Sequence, residues 1–122
     1  MADEITLTIP RDPGFRRVAS YVVGGLAARL NLTIESLEDI QLALDSLLAR
    51  VEGPAGEITL QMTVHDNALV TRVGPLGARV LDELEQEPGD RLGIRRVLDS
   101  TVDEVLVDGD WAVLTKAVSL SR

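Results

Sequence analysis

The chain of 122 residues contains no cysteine, so disulfides and thiolate metal sites are excluded. Its only aromatic residues are Phe15, Tyr21 and Trp111, too few to form a platform on which nucleic-acid bases could stack. One histidine, His65, has no second histidine with which to form a metal site or a proton relay, so we expect an exposed turn residue. The apolar stretches are too short to span a bilayer, and the acidic first residues do not resemble a signal peptide.

Basic residues are also scarce. The chain has twelve basic and twenty acidic residues, which gives a formal net charge of −8. This charge would repel a phosphate backbone. We therefore expect no nucleic-acid and no membrane partner, but a protein partner. The content of 45% hydrophobic and 26% charged residues is normal for a globular protein, and the length suits one domain, residues 1–122. The lack of cysteine fits a reducing cytoplasm, which is the expected location.

Hydrophobic periodicity predicts helices and paired strands in the order β-α-α-β-β-α-α-β-β. The first strand runs from Glu4 to Ile9, Asp12 and Thr33 are expected to cap the first two helices, and Phe15 and Trp111 are assigned to the core. The remaining predictions are turns at 53–56, 65–68, 88–89 and 108–110, strands over 58–64, 69–73, 102–107 and 111–118, and helices over 78–86 and 92–100. Helices segregate from strands, so we predict an α+β two-layer sandwich: one mixed, mostly antiparallel sheet with helices on one face.

Three stretches carry a resemblance that covers essentially the whole chain. They are the opening strand with Asp12–Phe15 and the first helix, the helical segment 36–45, and the segment 92–105. In this order and spacing they resemble the anti-sigma regulatory factor serine/threonine kinases, a branch of the Bergerat-fold (histidine kinase/Hsp90-like) ATPases. The resemblance implies a histidine kinase-like ATPase fold that binds ATP and Mg²⁺ between the helices and a lid.

In the kinases that the chain resembles, the second helix supplies a glutamate base and, four residues later, an asparagine that ligates the metal. Those positions hold Ser46 and Arg50 here, directly after Asp45, which we interpret as a remnant of the family pattern. A hydroxyl has no useful basicity at neutral pH, and a guanidinium has no lone pair to give a metal. The resemblance therefore implies no catalytic residue and no metal ligand at these positions.

The other nucleotide boxes also depart from the family pattern. The aspartate that would read adenine corresponds to Arg72 or Gly74, followed by Gly77, and the phosphate-binding glycines are reduced to Gly93. The positions matching the family's cofactor pocket are thus Asp45, Ser46, Arg50, Arg72, Gly74, Gly77 and Gly93. The segment matching the lid is acidic, with Asp82, Glu83, Glu85 and Glu87, and we interpret it as an ordered helix that covers or fills the old site.

A second interpretation treats Asp39, Ala43, Ser46 and Arg50 as a solvated helix face, on which Arg50 would pair with Asp39 or Asp45. The preferred hypothesis is a regulatory, protein-binding pseudo-kinase that resembles an anti-sigma factor and needs no cofactor. Its partner would be a sigma factor or a STAS-domain anti-anti-sigma factor. A homodimer is also expected, through the outer sheet face or the first strand with its apolar Ile5, Leu7 and Ile9.

Two other functions stay open at this point. One is an active ATP- and Mg²⁺-dependent kinase that phosphorylates a STAS-domain protein with substituted ligands. The other is a ligand-gated sensor that takes another anion at Arg50.

Overall fold

The computed structural model describes residues 3–51, 56–85 and 93–118. The strands are β1 (Asp3–Pro10), β2 (Glu57–His65), β3 (Ala68–Gly74), β4 (Glu104–Asp108) and β5 (Trp111–Ala117). The helices are α1 (Arg16–Leu30), α2 (Ile34–Leu48), α3 (Ala78–Glu85) and α4 (Ile94–Thr101), with a 3₁₀ turn at Pro13–Phe15 before α1. The predicted order of elements is therefore confirmed. The predicted turns at 53–55 and 88–89 lie outside the described residues.

The strands form one sheet in the order β1-β2-β3-β5-β4, and all four neighbouring pairs are antiparallel. Two tight hairpins build it. The turn between β2 and β3 places Asp66 and Asn67 at φ 49° and 63°, the backbone that two-residue hairpin loops require. The turn between β4 and β5 contains Gly109 at φ 60°. Helices α3 and α4 connect β3 to β4, which brings the last hairpin back beside β3.

Capping side chains fix where the first helical segments begin. Asp12 Oδ1 accepts a hydrogen bond from the Gly14 amide at 2.9 Å, and Thr33 Oγ1 accepts one from the Ser36 amide at 3.2 Å. Helix α1 ends at Asn31, whose φ of 55° turns the chain out of the helix. Both predicted caps are confirmed. None of the described helices is long and apolar enough to cross a membrane.

The core lies between the helices and one face of the sheet, which confirms the two-layer sandwich. Alternate residues of each strand face the helices, as Ile58, Leu60 and Met62 do on β2. The core assignment of Phe15 is wrong: its side chain is 41% exposed in the 3₁₀ turn, directly before α1 begins. Trp111 is half-buried, on the sheet face opposite the helices.

Helix α2 offers a test of this packing. Leu47 is fully buried, whereas Leu42 on the same helix is 52% exposed. Leu47→Ala should lower the free energy of unfolding by about 2–5 kcal/mol, because it removes buried apolar surface and leaves a cavity. Leu42→Ala should change it by about 0.5 kcal/mol or less. Urea denaturation of the two variants measures both values, and equal losses would contradict the assigned orientation of α2.

Candidate functional site

The end of α2 and the short helix α3 form the candidate site. Ser46 is half-buried near the end of α2, and Arg50 follows two residues beyond it, with its amide bonded to the Leu47 carbonyl at 3.1 Å. The Arg50 guanidinium reaches across to α3, where its Nη1 donates to Glu83 Oε2 at 3.2 Å. The ion pair therefore joins the segment directly after α2 to α3.

The proposed pairing of Arg50 with Asp39 or Asp45 is wrong. Asp39 instead accepts a hydrogen bond from Lys116 of β5 at 3.0 Å, in a pair whose lysine side chain is only 18% exposed. Ala43, between Asp39 and Ser46 on the same face, is buried. This face of α2 is thus turned toward the protein, and the interpretation as a solvated face is not supported.

A shallow depression lies between α2 and α3. Its lining is Ala49, Arg50, Arg79, Val80 and Glu83, and its volume is about 120 Å³. Small-molecule sites usually occupy about 300–1,000 Å³, so this depression by itself is too small for a nucleotide. Glu83 places a carboxylate beside Arg50 within it, and this carboxylate occupies the position that an anionic ligand of the arginine would take.

In addition to the ion pair with Arg50, two further sets of contacts fix the position of helix α3. Its apolar side buries Val80 and Leu84 in the core. From α4, Arg95 Nη1 donates to the Leu84 carbonyl at 2.6 Å, while its Nε pairs with Asp99 at 3.0 Å. The acidic segment is therefore an ordered helix over this part of the chain, with Asp82 and Glu85 exposed and Glu87 outside the described residues.

Asp45 is not part of this arrangement. Its side chain is exposed and lies along the groove between α1 and α2, together with Arg16 and Gln41. The helical period explains the separation, because neighbouring residues of a helix point about 100° apart. The structure places Arg50 against α3 and Asp45 in the groove against α1, so it does not bring these two residues together.

Arg72 lies on the other side of the sheet. On β3 the residues that face the helices are Leu69, Thr71 and Val73, so Arg72 points to the open face. There its guanidinium carbon stands 5.7 Å from the centre of the Trp111 ring, and its Nη2 donates to Asp108 at 3.1 Å. The side chain that faces the helical layer at this level is that of Val73, which is fully buried. The sequence reasoning missed it, although strand alternation would have identified it.

The three glycines at positions that match the family's cofactor pocket have different surroundings. A Cβ on Gly74 would stand 2.6 Å from Trp111 Cδ2, so this glycine makes room for the indole on the open face. Gly77 and Gly93 precede α3 and α4, and their carbonyls accept the first helical hydrogen bonds from Leu81 and Val97. A Cβ on either would meet nothing within 4 Å. Their surroundings therefore leave space for a side chain at both positions.

The described residues contain no group of three or more acidic or histidine side chains placed to hold a metal ion. His65, which we expected in an exposed turn, is exposed at the end of β2 and lies 3.2 Å from its neighbour Asp66. Three acids near β4 have separate partners: Asp99 binds Arg95, Asp103 accepts from the Ala117 amide, and Asp108 accepts from Arg72.

Comparison with known proteins identifies relatives at moderate identity. The chain is 28% identical over 96 residues to the serine-protein kinase RsbW of Listeria monocytogenes serotype 4b (strain F2365) and to that of Listeria innocua serovar 6a. It is 23% identical over 94 residues to the serine-protein kinase RsbW of Oceanobacillus iheyensis. The chain is thus similar to serine-protein kinases of the RsbW type. No family model matches it.

The match covers 73% of this chain and 61% of the Listeria kinases, so it spans about three fifths of the relatives' length.

The contact between Gly74 and Trp111 yields a prediction. Gly74→Ala should displace the indole, lower stability by about 1–3 kcal/mol through overpacking, and shift the fluorescence of the only tryptophan. Gly77→Ala is the matched control, and its stability should stay within about 0.5 kcal/mol of the parent. Thermal unfolding followed by tryptophan emission tests both. An unchanged emission maximum in Gly74→Ala would contradict the packing described.

Proposed function

We propose that this chain, which is similar to RsbW serine-protein kinases, is an anti-sigma factor-like protein that acts by binding a protein partner and does not transfer phosphate. The observation that supports the proposal most directly is the ion pair between Arg50 and Glu83. A kinase of this type needs a neutral oxygen ligand for Mg²⁺ at the position of Arg50. Here a fixed positive charge stands there, engaged by a carboxylate of the lid segment.

The base is also replaced. A positioned carboxylate that accepts the proton of an attacking hydroxyl contributes about 10²–10⁴ in rate, and Ser46 cannot supply this. On the adenine side, Val73 offers only an apolar side chain to the helical layer, so the amino group of adenine would find no acceptor there. The substitutions thus affect the base, the metal and the recognition of adenine together.

The partner that the family suggests is a sigma factor or a STAS-domain anti-anti-sigma factor, in the cytoplasm. An acidic protein with a net charge of −8 suits a partner that is basic at its contact surface. The ordered helix α3 favours this role, because a helix anchored by Arg50 and Arg95 gives a partner a preformed surface.

The chemical prediction concerns ATP. The purified protein should neither hydrolyse ATP nor phosphorylate a STAS-domain protein, and calorimetry should show weak or no binding of Mg²⁺-ATP. Should Arg50 hold phosphate directly, binding would persist without Mg²⁺ and disappear in Arg50→Gln, still without turnover. Glu83→Gln serves as the companion variant, since it frees Arg50 without removing its charge. Metal-dependent micromolar binding together with labelled phosphate on the STAS protein would refute the proposal.

We also propose that the chain forms a homodimer through the β1 edge. Ile9 is buried and Ile5 and Leu7 pack against the core, so the contact would use the β1 backbone rather than these side chains. Light scattering should give the mass of a dimer. Thr6→Lys should shift it toward monomer, because equal charges would face each other across paired edges. Thr63→Lys, on the open face of β2 but not at an edge, should leave the dimer intact. A monomeric mass for the parent over a wide concentration range would refute the dimer.

A further inference from the structure

Strand β4 ends the sheet opposite β1. Within the described ranges it pairs only with β5, so its other side presents unpaired backbone groups. Its helix-facing side is covered, because Val105 is buried and α3 and α4 pack against the strand. An edge of this kind is a template onto which another extended chain can add.

Large side chains lie beside this edge on the open face of the sheet. Leu106, in the middle of β4, is 53% exposed. It stands opposite Val113 of β5, which in turn stands opposite Arg72 of β3, and Trp111 lies next to Arg72. Tryptophan and arginine are enriched among the residues that carry binding energy at protein interfaces.

The chain segment that forms this edge carries charges of one sign. Residues 103–110 include four acids, Asp103, Glu104, Asp108 and Asp110, and no base. Asp108 is engaged by Arg72, while Glu104 is exposed. On the open face of β4 the side chains alternate in the order Glu104, Leu106, Asp108, which is acidic, apolar, acidic. A chain added beside β4 meets this pattern at every second residue.

The pattern distinguishes between occupants. A second copy that paired its own β4 here would place acids against acids, since the strand carries no base, and like charges across a strand pair are destabilising. A basic segment instead gains both the backbone hydrogen bonds and the opposite charges. Charge complementarity therefore selects a partner other than this chain.

We infer that the β4 edge is a docking site for an extended segment of a partner protein with the pattern basic–any–apolar–any–basic, which adds as a sixth strand. Its basic side chains face Glu104 and Asp108, and its apolar side chain packs on Leu106. The inference uses only the sheet edge, so it does not depend on the loss of kinase activity.

The probe is a fluorescein-labelled peptide containing Lys-Thr-Ile-Thr-Lys between threonine flanks. Fluorescence anisotropy should show saturable binding to the full chain, and amide NMR shifts should concentrate on 104–108. A peptide with both lysines replaced by glutamate should bind at least about tenfold more weakly, the difference expected for about 1.4 kcal/mol. The same basic peptide with alternate backbone N-methyl groups should also lose binding, because it keeps the charge but cannot pair as a strand.

Two variants locate the site. Leu106→Lys should weaken binding of the basic peptide at least about tenfold, because it removes the apolar contact and adds a like charge. Glu104→Lys should reduce the preference for lysine over glutamate. Thr63→Lys, far from β4 on the open face, is the matched control for added charge and should bind the peptide as the parent does. Circular dichroism confirms that each variant is folded.

Equal binding of the N-methylated peptide would overturn the inference, since attraction would then be electrostatic without strand addition. Equal weakening by Leu106→Lys and Thr63→Lys would overturn it as well, because the site would not be at β4. Absence of binding at about 1 mM peptide would mean that the acids only prevent edge-to-edge association, and this too would overturn it. None of these outcomes bears on ATP binding or phosphate transfer.

Discussion

The alternation of side chains across a single five-stranded sheet is the constraint on which the rest of the structure depends. One face is covered by helices, so every second residue of a strand enters the core and its neighbours remain on the open face. This rule separates Val73 from Arg72 by one residue in sequence and by the thickness of the sheet in space. It also gathers Arg72, Trp111 and Leu106 on the open face, far from the site at α2 and α3.

Within the helical layer, the contacts of α3 determine the character of the candidate site. Arg50 reaches α3 from α2, Arg95 reaches it from α4, and Leu84 buries it against the core. Exposed ion pairs contribute little to stability, about 0–1 kcal/mol, so the buried side chains provide most of the attachment. The arginine at position 50 has less effect on stability than on metal binding, because a fixed cation cannot ligate a divalent metal.

Much of the fold could be predicted from local signals. The caps at Asp12 and Thr33, the hairpin turns and the order of elements depend on residues close in sequence, and the structure confirms them. The side-chain contacts of the candidate site were harder to predict from the sequence. Glu83 was recognised as one acid of the lid segment, but its partner Arg50 is 33 residues away, and no local pattern specifies which acid turns inward. Phe15 was misplaced because hydrophobicity alone does not reveal that a 3₁₀ turn points it outward.

By itself, the sequence determined the succession of helices and strands and the resemblance to anti-sigma factor kinases, since these follow from residue type and spacing. Only the tertiary structure decided that Arg50 pairs with Glu83 and that Asp39 pairs with Lys116. It also decided that Arg72 and Gly74 contact Trp111 on the open face of the sheet. The physical reason is that such pairings join elements far apart in sequence. They depend on strand register and on the helix positions that packing selects.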